Sequence, residues 1–174
     1  MLSKFTLKSR ATIGSSLCVA SRPSLWPDAV MPLIFELRPS SPPDLAFCWP
    51  IYREAVQPLT EALTQWNEVA QRQLVEQAVK HAGTSILKAE NADAGWLQVE
   101  ETGGAVQLRH LYLAGPMRNR GLGSAFLVWM KERADRKRKD LVLEVMTNNP
   151  AQRLYERLGF KPLTTEGNKL TMRY

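Results

Sequence analysis

The segment from Val106 to Gly123 constrains this chain most. A run with strand character, Val106 to Leu113, passes through Ala114-Gly115-Pro116-Met117 and Arg118-Asn119-Arg120-Gly121-Leu122-Gly123, then directly into a helix predicted over Leu122–Lys137. A strand, a glycine-bearing turn and a helix start in immediate succession make an anion site. Glycines at 121 and 123 let backbone approach a ligand, and the first-turn N–H groups point outward at the positive end of the helix dipole. Arg118 and Arg120 would add charge beside it. Two common phosphate loops do not fit. A Walker loop needs Lys and Ser or Thr after its last glycine, where this chain has Ser124 and Ala125, and a Rossmann fingerprint needs Gly or Ala at Phe126. A basic turn that only caps a helix would look the same in isolation.

The rest of the chain supplies context. Residues 1–30 are rich in Ser, Thr, Lys and Arg and lack regular periodicity, which reads as a targeting extension or as translation from an upstream start, with Met31 opening the domain. The net charge of +6 owes half to this segment, through Lys4, Lys8, Arg10 and Arg22 against Asp28, so the domain itself is only mildly basic. From Met31 the pattern predicts a strand over Leu33–Leu37, helices over Asp44–Val56 and Leu59–Ala82 broken at Pro58, and strands over Ser85–Ala89 and Gly95–Glu100 separated by a turn at Asn91-Ala92-Asp93. Thr102-Gly103-Gly104 returns the chain into Ala105–Leu113. After the central helix come a strand over Leu141–Val145, a helix over Pro150–Leu158 and a last strand over Leu170–Arg173. One α+β domain over residues 31–174 follows, with a mixed, mostly antiparallel central sheet flanked by helices.

Cys18 and Cys48 form no CxxC pair and lie at no metal-ligand spacing with His81 or His110, so no metal is expected and a reducing cytoplasm is the simplest location. No apolar run approaches the roughly 20 residues of a membrane span. The basic run Arg133, Arg136, Lys137, Arg138, Lys139 lacks the interleaved aromatics of a nucleic-acid surface and is expected to be a solvated helix end.

The second informative stretch is Asn149-Pro150-Ala151-Gln152-Arg153-Leu154-Tyr155-Glu156-Arg157-Leu158-Gly159-Phe160. Taken with Arg118-x-x-Gly121-x-Gly123 at this order and distance, it resembles the GNAT superfamily of N-acetyltransferases, and the resemblance runs from about Met31 to the C-terminus. The resemblance implies that the strand before the turn and the strand after the helix splay, with the pantetheine arm of acetyl-CoA between them. The backbone at Leu111 and Leu113 would then pair with the pantetheine amides, and the amides of Arg118, Asn119, Arg120, Gly121, Leu122, Gly123 and Ser124 would hold the pyrophosphate. Asn149 matches a coenzyme-contacting asparagine and is equally a good helix cap ahead of Pro150. Its neighbour Asn148 fits either role. Tyr155 matches the tyrosine that protonates the leaving thiolate.

Many relatives carry a basic carboxylate on the strand before the turn, whereas this chain has Gln107, Arg109 and His110 there. His110 is thus the nearest titratable candidate, beside a bland reading as a buried hydrogen-bonded histidine, and Glu100, Glu101 and Glu144 could act through water. Trp49, Tyr52 and Trp66 lie on helices that wall the acceptor pocket in this family, and aromatics at such spacing also serve as core. The expected activity is direct attack by a primary amine, of a small molecule or a peptide, on acetyl-CoA in a ternary complex. Expected partners include neither nucleic acid nor membrane, and a homodimer is compatible with the chain. A sensor or partner-binding module that keeps the coenzyme site is the alternative, and transfer of a longer acyl chain is a third.

Overall fold

The computed structural model describes residues 35–174. The expected extension over 1–30 and the first half of the expected strand at Leu33–Leu37 lie outside the described residues. The strand described there, β1, is Glu36–Pro39 and runs past Leu37, with Phe35 and Leu37 packed on the core and Arg38 anchoring the edge. Arg38 donates to Asp44 at 2.8 and 3.0 Å and to Asp93 at 2.6 Å, and the paired guanidinium and hydrogen bonds hold Asp44 below the usual carboxylate range.

Helix α1 spans Leu45–Glu61 and α2 spans Glu68–Lys80. Pro58 does not break the first helix. Both Pro50 and Pro58 sit inside it, and the stripe Cys48, Trp49, Ile51, Tyr52 and Thr60 buries against the sheet strongly enough to carry the helix through each missing donor. The break falls later, and Asn67 restarts the chain by accepting from the Ala70 amide at 3.0 Å.

Strands β2 (Thr84–Ala89), β3 (Ala92–Glu101) and β4 (Ala105–Leu113) form the expected antiparallel meander. The first hairpin turns at Glu90-Asn91, not at Asn91-Ala92-Asp93. Both residues are left-handed, φ 52° and 63°, the conformation that matches the twist of a two-residue hairpin. At Gly95 the neighbouring strand comes close: a Cβ there would lie 2.3 Å from the Tyr112 carbonyl oxygen, so only glycine fits.

Helix α3 is Leu122–Lys137, as expected, and is followed by β5 (Asp140–Met146), α4 (Gln152–Arg157), β6 (Lys161–Glu166) and β7 (Lys169–Arg173). Strand β6 was not expected: it is exposed throughout, so it has no apolar alternation to read. The seven strands make one sheet in the order β1-β2-β3-β4-β5-β7-β6, in which only β4 and β5 are parallel. Helices α1 and α2 cover Ile86 and Trp96 on one face; α3 and α4 cover Leu97, Val106, Leu108, Leu141 and Leu143 on the other.

The basic end of α3 is less solvated than expected. Lys137 and Lys139 clamp Glu101 at 2.6 and 2.7 Å, and Arg133 is 8% exposed over the Trp129 ring. A cavity of about 20 Å³ beside Arg133 and Met130 holds room for about one water at this end of the sheet. Among the described residues, no helix is long and apolar enough to cross a membrane.

Candidate functional site

The parallel pair β4–β5 is zipped over only part of its length. Ala105 to Leu108 pair with Asp140 to Leu143, and the ladder stops there, leaving Arg109–Leu113 and Glu144–Met146 unpaired with each other. On its other edge β4 stays bonded to β3 through Leu113, with Arg109 bulged out between Leu108 and His110. The result is a wedge between two strands whose facing edges offer backbone donors and acceptors.

Directly above the wedge lies the glycine turn. Asn119 (φ 59°) and Gly121 (φ 83°) are left-handed, and Gly121 stands at the N-cap of α3 with no side chain capping the helix. The first inward bond at this end runs from the Ala125 amide to the Gly121 carbonyl at 2.9 Å. The amides of Leu122, Gly123 and Ser124 therefore precede the helical ladder, and no carbonyl of the helix lies four residues back for them. A Cβ on Gly123 would meet only Leu113 Cδ1, at 3.6 Å. Leu111 and Leu113 point toward the α3 core, so what they present to the wedge is backbone.

The charge expected beside this turn is largely committed. Arg118 donates to the Leu113 carbonyl at 2.9 Å and to Glu54 of α1 at 2.7 Å, while Arg120 pairs with Glu90. One nitrogen of Arg118, Nη2, is buried without a partner. Glu54 had no signal in the sequence, because its contact spans 64 positions between elements that only the fold brings together.

Tyr155 of α4 and Tyr112 of β4 flank the wedge. Burial pushes the Tyr155 hydroxyl up to about 12, and it pushes Tyr112 upward too, reinforced by Tyr52 and Tyr155 nearby. Both phenols hold their protons at neutral pH. Tyr112 was not singled out, although strand alternation alone sets it opposite Leu111 and Leu113.

His110 lies on the same face as Tyr112, with its ring 5.1 Å from Trp96 and 6.5 Å from Tyr52. Burial, helped by Arg109, lowers its pKa to about 4, so the imidazole is uncharged, and its Nδ1 is buried with no partner. Trp49, Tyr52 and Trp66 stack on one another at 6.2 to 6.4 Å and behave as packed wall, with Trp49 and Tyr52 buried.

Asn149 does not stand at the N-cap of α4, which is Ala151; its side chain accepts from the Ala151 amide at 2.9 Å in the turn that leads into the helix, and the regular helix starts at Gln152, later than Pro150. Asn148 does not cap α4. Its amide donates to the Leu59 carbonyl at 2.8 Å, tying the β5–α4 turn to the end of α1. Helix α1 thus bridges both lips of the wedge, through Glu54 on the β4 side and Leu59 on the β5 side. No group of His, Cys, Asp and Glu among the described residues could hold a metal ion.

The sequence matches the family description "Acetyltransferase (GNAT) domain" over residues 72–162, just over half of the chain. A search of curated proteins returns no match. Among solved structures, the PaiA N-acetyltransferase from Thermoplasma acidophilum in complex with coenzyme A is 17% identical, with 80% of this chain and 97% of that one covered at a TM-score of 0.64. Apo YjaB from Escherichia coli is 17% identical, covering 82% and 98% at 0.63, and an acetyltransferase from Thermus thermophilus is 19% identical, covering 82% and 97% at 0.60. With the split β4–β5 pair and the uncapped glycine turn above it, the family match over residues 72–162 establishes that this chain belongs to the GNAT acetyltransferase family.

Proposed function

We propose that this chain is an N-acetyltransferase that moves the acetyl group of acetyl-CoA to a primary amine by direct attack in a ternary complex. The observation that carries the proposal is the end of the β4–β5 ladder at Leu108 and Leu143, directly below a helix start whose amides are unused. A pantetheine arm carries amides spaced along an extended chain, so it can pair with the backbone of Leu111 and the amide of Leu113 as a further strand would, while the Leu113 carbonyl is held by Arg118. The pyrophosphate then meets the amides from Asn119 to Ser124 at the helix N-terminus; the Arg118 amide, expected among them, is taken by the Gly115 carbonyl at 3.2 Å. Asn149, at the β5 side of the same opening, would add a coenzyme contact while its side chain holds the Ala151 amide.

Tyr155 is the proton donor to the departing thiolate. Its pKa near 12 keeps it protonated throughout the working range, and a thiolate with a pKa near 8.5 is a weaker base than the phenolate left behind, so the donor needs prompt reprotonation by the acceptor nitrogen. Direct attack is favoured over an acyl-enzyme because Cys48, the free cysteine among the described residues, is buried and its thiol is pushed up to about 12, which leaves no thiolate at neutral pH. His110 contributes as an uncharged hydrogen-bonding group, since a pKa near 4 makes it a poor base for an ammonium. We place the enzyme in the cytoplasm on its cysteine usage.

Titration calorimetry tests the cofactor step. Acetyl-CoA should bind the full-length protein saturably, and Gly123→Glu should weaken binding on the order of 1,000-fold by setting a carboxylate among the phosphate donors. Gly123 is the better site than Gly121, where φ of 83° would strain any side chain and confound the result. Retained binding in folded Gly123→Glu would remove the phosphate-turn argument. The alternative of a coenzyme-binding module draws on the lack of a well-tuned base on β4, and absence of thiol release with any amine would favour it.

A further inference from the structure

The register of β4 against β5 sets which side chains face each other across the wedge. Gln107 pairs with Val142 and Leu108 with Leu143, so Glu144 is the first β5 residue past the ladder. Leu143 and its β7 partner Met172 point into the α3 core; Glu144 and its partner Thr171 therefore face the other side of the sheet. His110 faces that side as well, since Leu111 packs toward α3 while His110 touches Tyr52 and Trp96. His110 and Glu144 thus occupy facing positions on the two lips, on the face that carries α1.

The nearby carboxylates differ in what already holds them. Glu101 pairs with Val106 at the zipped end and is clamped by Lys137 and Lys139. Glu100 accepts from Arg109 at 2.9 Å and from Gln98 at 3.1 Å, and Glu54 holds Arg118. Glu144 meets Lys169 at 3.4 Å, with side chains 45% and 69% exposed respectively. An ion pair that long and that exposed is weak and readily exchanged for another cation.

We propose that Glu144 receives the acceptor amine: its carboxylate pairs with the incoming ammonium in place of Lys169 and takes one proton from it, directly or through a water. This assignment rests on the N-acetyltransferase reading above. The neutral nitrogen then attacks the thioester carbonyl carbon, the C–S bond breaks, Tyr155 protonates the sulfur, and the second proton lost from nitrogen restores Tyr155. Ammonium and thioester become amide and thiol, and the one surplus proton leaves through Glu144 to solvent. The charged and titratable groups around this position are Lys169 on β7, Arg109, His110 and Tyr112 on β4, Glu100 on β3 and Tyr52 on α1. A lip carboxylate on β5 replaces the acid that β4 lacks.

The test uses the full-length protein, its Glu144→Gln variant and Glu100→Gln as control, with release of free thiol from acetyl-CoA measured for n-butylamine, phenethylamine and the Nα-acetylated amide of lysine. For the best of these amines, Glu144→Gln should lower kcat/KM on the order of 100-fold at neutral pH and regain it as pH approaches the amine pKa near 10, where the nitrogen is already neutral. Hydroxylamine, uncharged at neutral pH, should be acetylated by both proteins at similar rates. Acetyl-CoA affinity by calorimetry should be unchanged, and Glu100→Gln should track the wild type. Parallel pH profiles for wild type and Glu144→Gln would overturn the assignment and leave the acetyltransferase reading standing. Lack of acetyl-CoA binding by the wild type would overturn that reading instead, and binding without transfer to any of these amines would overturn both.

Discussion

Strands β4 and β5 run side by side in two halves with opposite character. In the zipped half, Val106, Leu108, Leu141 and Leu143 bury against α3, every one of them below 8% exposure, and the nearby charge Glu101 is satisfied by two lysines. In the parted half, His110 Nδ1, Trp96 Nε1 and Arg118 Nη2 are buried without partners, close to phenols that carry protons and amides that carry no bond. Buried polar groups in folded proteins are nearly always paired, and three of the four such orphaned side-chain atoms among the described residues lie on β3, β4 and the turn after it, the fourth being Trp66 Nε1 between α1 and α2. The zipped half holds the fold, and the parted half leaves its facing backbone edges unpaired with each other.

The comparison breaks most visibly through the glycine turn. The Gly123→Glu variant should lose coenzyme binding on the order of 1,000-fold while its thermal midpoint stays close to wild type, because the added Cβ meets only Leu113 Cδ1, at an ordinary contact distance of 3.6 Å. A core substitution in the other half should do the reverse. Leu143→Ala should cost about 2–5 kcal/mol in chemical denaturation, since Leu143 is 3% exposed under α3, with coenzyme affinity of the remaining folded protein kept. A coenzyme affinity that fell with Leu143→Ala would blur the division between the halves.

Within the parted half, Tyr155→Phe should lower kcat by about 100-fold with acetyl-CoA affinity unchanged, as the removed hydroxyl delivers a proton and binds nothing in the ground state. Unchanged kcat would assign Tyr155 to packing against Phe160, whose ring lies 5.9 Å away.

A pH effect on stability sharpens the same contrast. His110 is lowered from 6.5 to about 4 by burial, so between these values the unfolded chain binds more protons than the folded one. Stability should therefore fall as pH drops through this window, by up to about 3 kcal/mol. The His110→Phe variant should flatten that slope, read from denaturation midpoints at a series of pH values; an unaltered slope would place the titration elsewhere.

Local patterns were legible where residues carry their own geometry. Helix α3 was readable from end to end because its apolar periodicity sits between a glycine turn and a run of cations. The meander was readable because Thr102-Gly103-Gly104 and the β-branched and aromatic runs mark its edges. Pro58 misled because a proline's local penalty is small against the burial of a whole helical stripe, and β6 went unread because an exposed strand owes its existence to pairing with β7.

For the site, the sequence by itself determined the glycine turn at a helix start, the acid candidate Tyr155 and the absence of a carboxylate on β4, since each is a matter of residue type at short spacing. Only the tertiary structure decided where β4 and β5 part, that Arg118 spends its charge on Glu54, that His110 is buried and uncharged, and that Glu144 stands across from it. Those depend on strand register and burial, which are set by contacts between residues tens of positions apart and leave no mark on the local sequence of either partner.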